Sequence, residues 1–144
     1  MARRRIIIPT DRDGEPVGAQ LKTILDRQIH YSVAVAEINR PIDILDELVI
    51  PVLPVSLENA ARLMTELQAQ DTRVPILPVV RSENLNRIEN LCPWVRDFLV
   101  SPLRDQEVWA RVKRLLNEAE QSHLVHADQL KLFNWSVKIR PSSR

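Results

Sequence analysis

An α/β sandwich with parallel strands is the fold class expected of this 144-residue chain, and three patterns predict it. Short apolar runs rich in β-branched residues recur at five places along the sequence. Stretches with apolar residues at helical spacing stand between them. Proline and polar turn residues separate the two kinds of segment. The length suits one globular domain. The apolar share of 44% is enough for a core and excludes wholesale disorder.

Taken in order, Arg5 to Ile8 is a short buried strand, expected to end at Pro9 because proline cannot donate to a ladder. Thr10-Asp11-Arg12-Asp13-Gly14 has turn chemistry. From Glu15 to Ile29, Val17, Leu21, Ile24, Leu25 and Ile29 keep helical spacing. Tyr31 to Ile38 alternates and is the second strand; Leu48 to Leu53 is continuously apolar, as a strand covered on both faces is. About eight residues lie between these two, so a helix around Pro41 to Leu45 is short or absent. Leu57, Ala60, Ala61, Met64 and Leu67 mark the next helix, with Met64 as core filling. Val74 to Val80 is the fourth strand, interrupted by Pro78. Ser82 is placed to cap a helix carrying Leu85, Ile88 and Leu91 that Pro93 terminates. Val95 to Val100 is the fifth strand, and Asp105 is placed to cap a long helix with Val108, Val112, Leu115, Leu116 and Ala119 inward. Beyond Ser122 clear periodicity is lost. The core therefore fits in residues 5–120 of a domain spanning 1–120, and 121–144 is an extension or linker.

Composition removes whole classes of site. The chain has 2 glycines and 10 prolines, whereas the usual glycine frequency of roughly 7% gives about ten. Gly14 and Gly18 satisfy neither a P-loop nor a GxGxxG turn. No apolar run approaches a membrane span, and the three isoleucines after Arg3-Arg4-Arg5 are too few for a signal peptide, so a cytoplasmic protein is expected. Cys92 alone excludes an internal disulfide and fits a reducing compartment, where it is a small buried thiol. His30, His123 and His126 have no ligand partners at metal-binding spacing. Twenty basic and nineteen acidic residues nearly balance. All nineteen acids and thirteen of the bases lie in residues 6–128, and Arg3, Arg4, Arg5, Lys131, Lys138, Arg140 and Arg144 make the ends basic. Such ends are solubilising termini or a flexible arm that touches phosphates. No direct nucleic-acid contact and no membrane are expected.

The stretch from Asp97 to Leu116, Asp-Phe-Leu-Val-Ser-Pro-Leu-Arg-Asp-Gln-Glu-Val-Trp-Ala-Arg-Val-Lys-Arg-Leu-Leu, resembles the last strand and helix of a response-regulator receiver domain. The order of elements over about residues 5–120 is similar as well. The resemblance implies a three-layer α/β sandwich with a five-stranded sheet in the order 2-1-3-4-5, here with a shortened second helix. It also implies a working site at the carboxyl ends of the strands. In that family two acids after the first strand and an aspartate after the third hold Mg²⁺, and that aspartate takes the phosphoryl group. A Ser or Thr after the fourth strand and a Lys after the fifth bind its oxygens. A divalent cation and an ammonium offset the developing anion.

Carried over position by position, the set is degenerate. The acid pair falls at Thr10 and Asp11, with Asp13 close by, so whether some Mg²⁺ binding persists there stays open. The acceptor falls on Pro51 or Val52, the hydroxyl on Val80 and the lysine on Ser101. Phe98 takes the family's aromatic switch position and is expected in the core, and the Ser101-Pro102 bond is expected to be cis. The resemblance then implies a phosphorylation-independent receiver-like signalling module that works by protein–protein contact, with a transcriptional output and no cofactor. Its candidate partner surface holds Trp94, Arg96, Arg104, Trp109 and Arg111, because Trp and Arg are favoured interface anchors. The partner is an output domain, another protein or a second copy. For Trp109, packing at the helix edge is the competing role. Two alternatives stay open: a small-molecule sensor with a pocket lined by Pro9, Pro51, Val80 and Ser101, and an unrelated small α/β domain. An enzyme is not expected, because no nucleophile–base pair, carboxylate pair or metal cluster falls at that edge.

Overall fold

The computed structural model describes residues 3–43, 45–70, 74–87, 95 and 97–118. Cys92, Trp94, Arg96, His123, His126, the second half of the Ser82 helix and the extension 121–144 lie outside them.

The chain runs β1 (Arg4–Thr10), α1 (Glu15–Leu25), β2 (Tyr31–Glu37), β3 (Leu48–Val49), α2 (Leu57–Ala69), β4 (Val79–Arg81), a 3-10 turn (Ser82–Arg87) and β5 (Leu99–Ser101). A last helix, α3, covers 105–118. All strand pairs are parallel. β1 sits between β2 and β3, with Ile6 opposite Val33 on one side and Leu48 on the other. β4 pairs with β5 as a separate ladder, Val79 opposite Leu99. Isolated bridges join Val49 to Ile76 and Val52 to Val79.

Side chains alternate across the strands with period two, and this builds two cores. Ile6 and Ile8 point with Leu48, Ile50 and Val52 toward α1 and α3, where Leu21, Leu25, Val108 and Val112 meet them. Ile7, Val49 and Leu53 point the other way, onto Ala60, Leu63, Met64 and Leu67 of α2. Helices therefore cover both faces, and burial on both sides explains why β1 and β3 are continuously apolar in sequence.

Each helix forms for a local reason. Gly14 precedes α1, Pro16 lies in its first turn, and Lys22 pairs with Asp26 one turn on at 2.7 Å. The Ser56 Oγ accepts the Asn59 N–H at 3.3 Å and caps α2. Asp105 departs from the expected capping role. It lies within α3, while the Arg104 carbonyl accepts the Val108 N–H at 3.0 Å, and its carboxylate reaches Arg27 at 2.7 Å. A carboxylate in the first turn still complements the helix dipole. Ser82 opens a 3-10 turn. As expected, the described residues between β2 and β3 form no helix.

Two expectations need correcting. Pro9 does not end β1; the strand continues to Thr10, and the Pro9 carbonyl accepts the Val52 N–H at 2.9 Å. Proline lacks only the donor, so its acceptor stays in the ladder. Pro51, Pro75 and Pro78 do likewise, taking the N–H groups of Val79 (2.8 Å), Val49 (3.1 Å) and Leu99 (2.8 Å). Each missing N–H interrupts regular pairing, which accounts for strands only two or three residues long. Nor are the first arginines wholly a flexible arm. Arg4 Nε lies 2.8 Å from Glu47 Oε1 and Arg5 Nη2 lies 3.3 Å from the buried Asp46, which ties the β2–β3 connection to the start of β1.

Candidate functional site

The carboxyl edge of the strands is close-packed. Thr10, Pro51, Val52 and Val80 are buried there, Asp11 and Ser101 are half-buried, and the Ser101-Pro102 bond is cis as expected. Asp11 is the acid nearest the end of β1. Its Oδ1 accepts the Gly14 N–H at 2.8 Å, so the carboxylate closes the turn that starts α1. Asp13 points to solvent.

Both glycines of the chain lie against this edge. A Cβ on Gly14 would stand 2.9 Å from Val52 Cγ1, and one on Gly18 would stand 2.7 Å from Thr10 Cγ2. Neither glycine has a positive φ, so close approach and not backbone conformation selects them. α1 is drawn onto the ends of β1 and β3, and Val52 fills the space between. Among the described residues no buried side-chain polar atom lacks a hydrogen-bond partner. These groups do not fit a divalent cation. Asp11 is the carboxylate beside Val52 and Gly14, its Oδ1 already accepts the Gly14 N–H, and the buried Pro51, Val52 and Val80 offer no side-chain oxygen.

An opening lies to one side of this edge. A groove of about 200 Å³ is lined by Asp11, Ile38, Asn39, Pro54, Asn59, Arg62, Leu63 and Glu66. Pro9, Pro51 and Val80 are buried, Ser101 is half-buried, and none of the four lines this groove, which lies between the end of β2 and α2.

The candidate partner residues do not form one patch among the described residues. Arg104 is exposed. Trp109 packs on the first core and its Nε1–H donates to the Ile24 carbonyl at 3.0 Å, which pins α3 to α1. Arg111 takes Glu107 at 3.2 Å and, with Arg114, grips the carboxylate of Asp97. Asp97 is 6% exposed and also accepts the Phe98 N–H at 2.9 Å. Phe98 is half-buried against the second core. Sequence reasoning missed this cluster as a unit. Its signals were an acid within the apolar run 95–100 and two arginines three apart on one helix face.

No family model matches the sequence, and no curated protein matches it either. Solved structures do. A signal receiver domain from Vibrio parahaemolyticus superposes with a TM-score of 0.69 at 16% identity, covering 87% of this chain and 98% of that one. Full-length FixJ from B. japonicum gives 0.63 at 17% identity over 88% of this chain and 64% of its own. NtrX from Brucella abortus, solved with ATP, gives 0.65 at 15% over 88% of this chain and 29% of its own. The chain thus spans nearly all of an isolated receiver domain and less than two thirds of these two longer regulators. At these identities the likeness speaks to the fold, and the fold is that of the response-regulator receiver domain, α/β with parallel strands.

Proposed function

We propose that the chain is a receiver-like signalling module that acts through protein contact and without phosphorylation. The observation that supports this is the close approach of Val52 to Gly14, since Val52, with Pro51, is where the resemblance carries the receiver's acceptor carboxylate. Without a carboxylate there is no aspartyl phosphate. With Ser101 where the resemblance expects a lysine, the phosphoryl oxygens also lose their cation. In this proposal residues 1–120 are the module and 121–144 lead toward an output, transcriptional as in bacterial regulators, in a cytoplasmic protein with no catalytic activity of its own. The two ladders belong to one sheet in the order 2-1-3-4-5. The bridges at Val49 and Val52 and the four proline-accepted hydrogen bonds support that order.

The contact surface is assigned to the β4–β5–α3 side. Arg104, Trp94 and Arg96 supply contacts there, while Trp109 and Arg111 hold α3 in place behind them. Two of the longer regulators of the same fold, FixJ and NtrX, support an attached output domain as partner. Incubation with acetyl phosphate and Mg²⁺, followed by intact mass measurement, is expected to leave the mass unchanged. A covalent phosphoryl adduct on any residue overturns the proposal.

The groove beside Asp11 favours a second reading, a sensor of a small polar molecule held between Asp11, Arg62 and Glu66. A thermal-shift panel of metabolites and nucleotides tests it. No response at millimolar concentration removes it.

A further inference from the structure

β2 is an open edge, and an unusually unprotected one. Among the described residues no strand lies beyond it, and Ser32, Ala34 and Val35 are exposed. Natural edges are blunted with lysine, proline, bulges or shortness. β2 has seven residues, pairs in unbroken register with β1, and carries no charge from Tyr31 to Ala36. Such an edge accepts a further strand through its free backbone groups.

The chain itself supplies a candidate in the right place. Arg4 Nη2 donates to the Leu116 carbonyl at 3.5 Å, so the end of α3 lies beside the start of β1. Arg4 is in register with Tyr31, so the last described turn of α3 lies at the amino ends of the strands, β2 among them. Within that segment, Phe133, Trp135, Val137 and Ile139 alternate with Asn134, Ser136 and Lys138. Period two with β-branched and aromatic residues is a strand pattern. The segment has no acid after Asp128, and Lys138 and Arg140 lie at its far end, whereas β2 ends on Glu37. Residues 119–132 can reach about 46 Å when extended, far more than the spacing of about 5 Å between neighbouring strands.

We infer that residues 133–139 add to the outer edge of β2 in the same chain, parallel to it, with Lys138 and Arg140 meeting Glu37. This goes beyond the proposed function and does not depend on it. Tethering favours the chain's own segment over a second copy at ordinary concentrations.

Hydrogen exchange read by mass spectrometry on the full 144-residue chain tests the inference. Amides of 133–139 are expected to exchange at least about tenfold more slowly than in the same free peptide, unchanged on tenfold dilution. Val137→Pro removes a donor within the added strand and is expected to speed exchange both there and in β2, while β1 stays protected. Free-peptide rates in the wild-type chain overturn the inference, as does a β2 that ignores Val137→Pro. Protection lost on dilution overturns it in favour of a second copy. The wild-type measurement decides even if the variant fails to fold.

Discussion

The two ends of the strands are built on opposite principles. At the amino ends the carboxylates are buried or half-buried and paired: Glu47 with Arg4, Asp46 with Arg5, and Asp97 with Arg111 and Arg114. At the carboxyl ends, where receivers are expected to keep their charges, Pro51, Val52 and Val80 are buried and two glycines press against the strand ends. The difference teaches that ionic groups here hold the layers together, while the edge suited to chemistry is packed like a core.

The largest effect is expected at Asp97. Removing both cations with Arg111→Ala and Arg114→Ala leaves a buried carboxylate unpaired, a loss of about 3 kcal/mol in urea denaturation. If stability is unchanged, the amino-end cluster is ornamental and the contrast between the two ends fails. Gly14→Ala comes next. Its Cβ must displace Val52, at a cost of about 1–3 kcal/mol. Val52→Ala in the Gly14→Ala background should recover about 1 kcal/mol relative to additivity, because the two residues share one contact. Purely additive effects would show that the carboxyl end is loosely packed.

Glu47→Gln should cost under about 1 kcal/mol, since its partner Arg4 and Glu47 itself are partly solvated. The smallest effect is at Tyr31. Burial raises its phenol above the ordinary value of 10.0, and the charge of Arg4 works against that shift only in part. The unfolded chain therefore releases this proton first. The wild type should match Tyr31→Phe in pH dependence below about pH 10 and lose stability faster above it, as alkaline denaturation curves will show.

Helix faces were legible in the sequence because amphipathic spacing is local: Leu21, Ile24 and Leu25 of α1, and Ala60, Met64 and Leu67 of α2, are buried as their positions predict, whereas Ile29 lies beyond α1 and is 81% exposed. Thr10 at the end of β1, Val80 within β4 and Val52 just past β3 lie at one edge, as the order of the strands in the sequence suggests. The passage of β1 through Pro9 was not legible, because sequence rules weigh the missing donor and not the retained acceptor. The Asp97 cluster was hidden for a different reason. Its arginines lie 14 and 17 residues away on another element, so only the tertiary fold brings them together. The groove between β2 and α2 likewise depends on three separate connections meeting.

The fit of Val52 against Gly14 also constrains how this sequence can change. A carboxylate at position 52, where Val52 is 5% exposed and lies against Gly14 of the α1 turn, would be costly to bury. A larger residue at position 14 would be expelled by the valine. Neither position can take a larger or charged side chain alone without giving a less stable protein, so the two positions are constrained together.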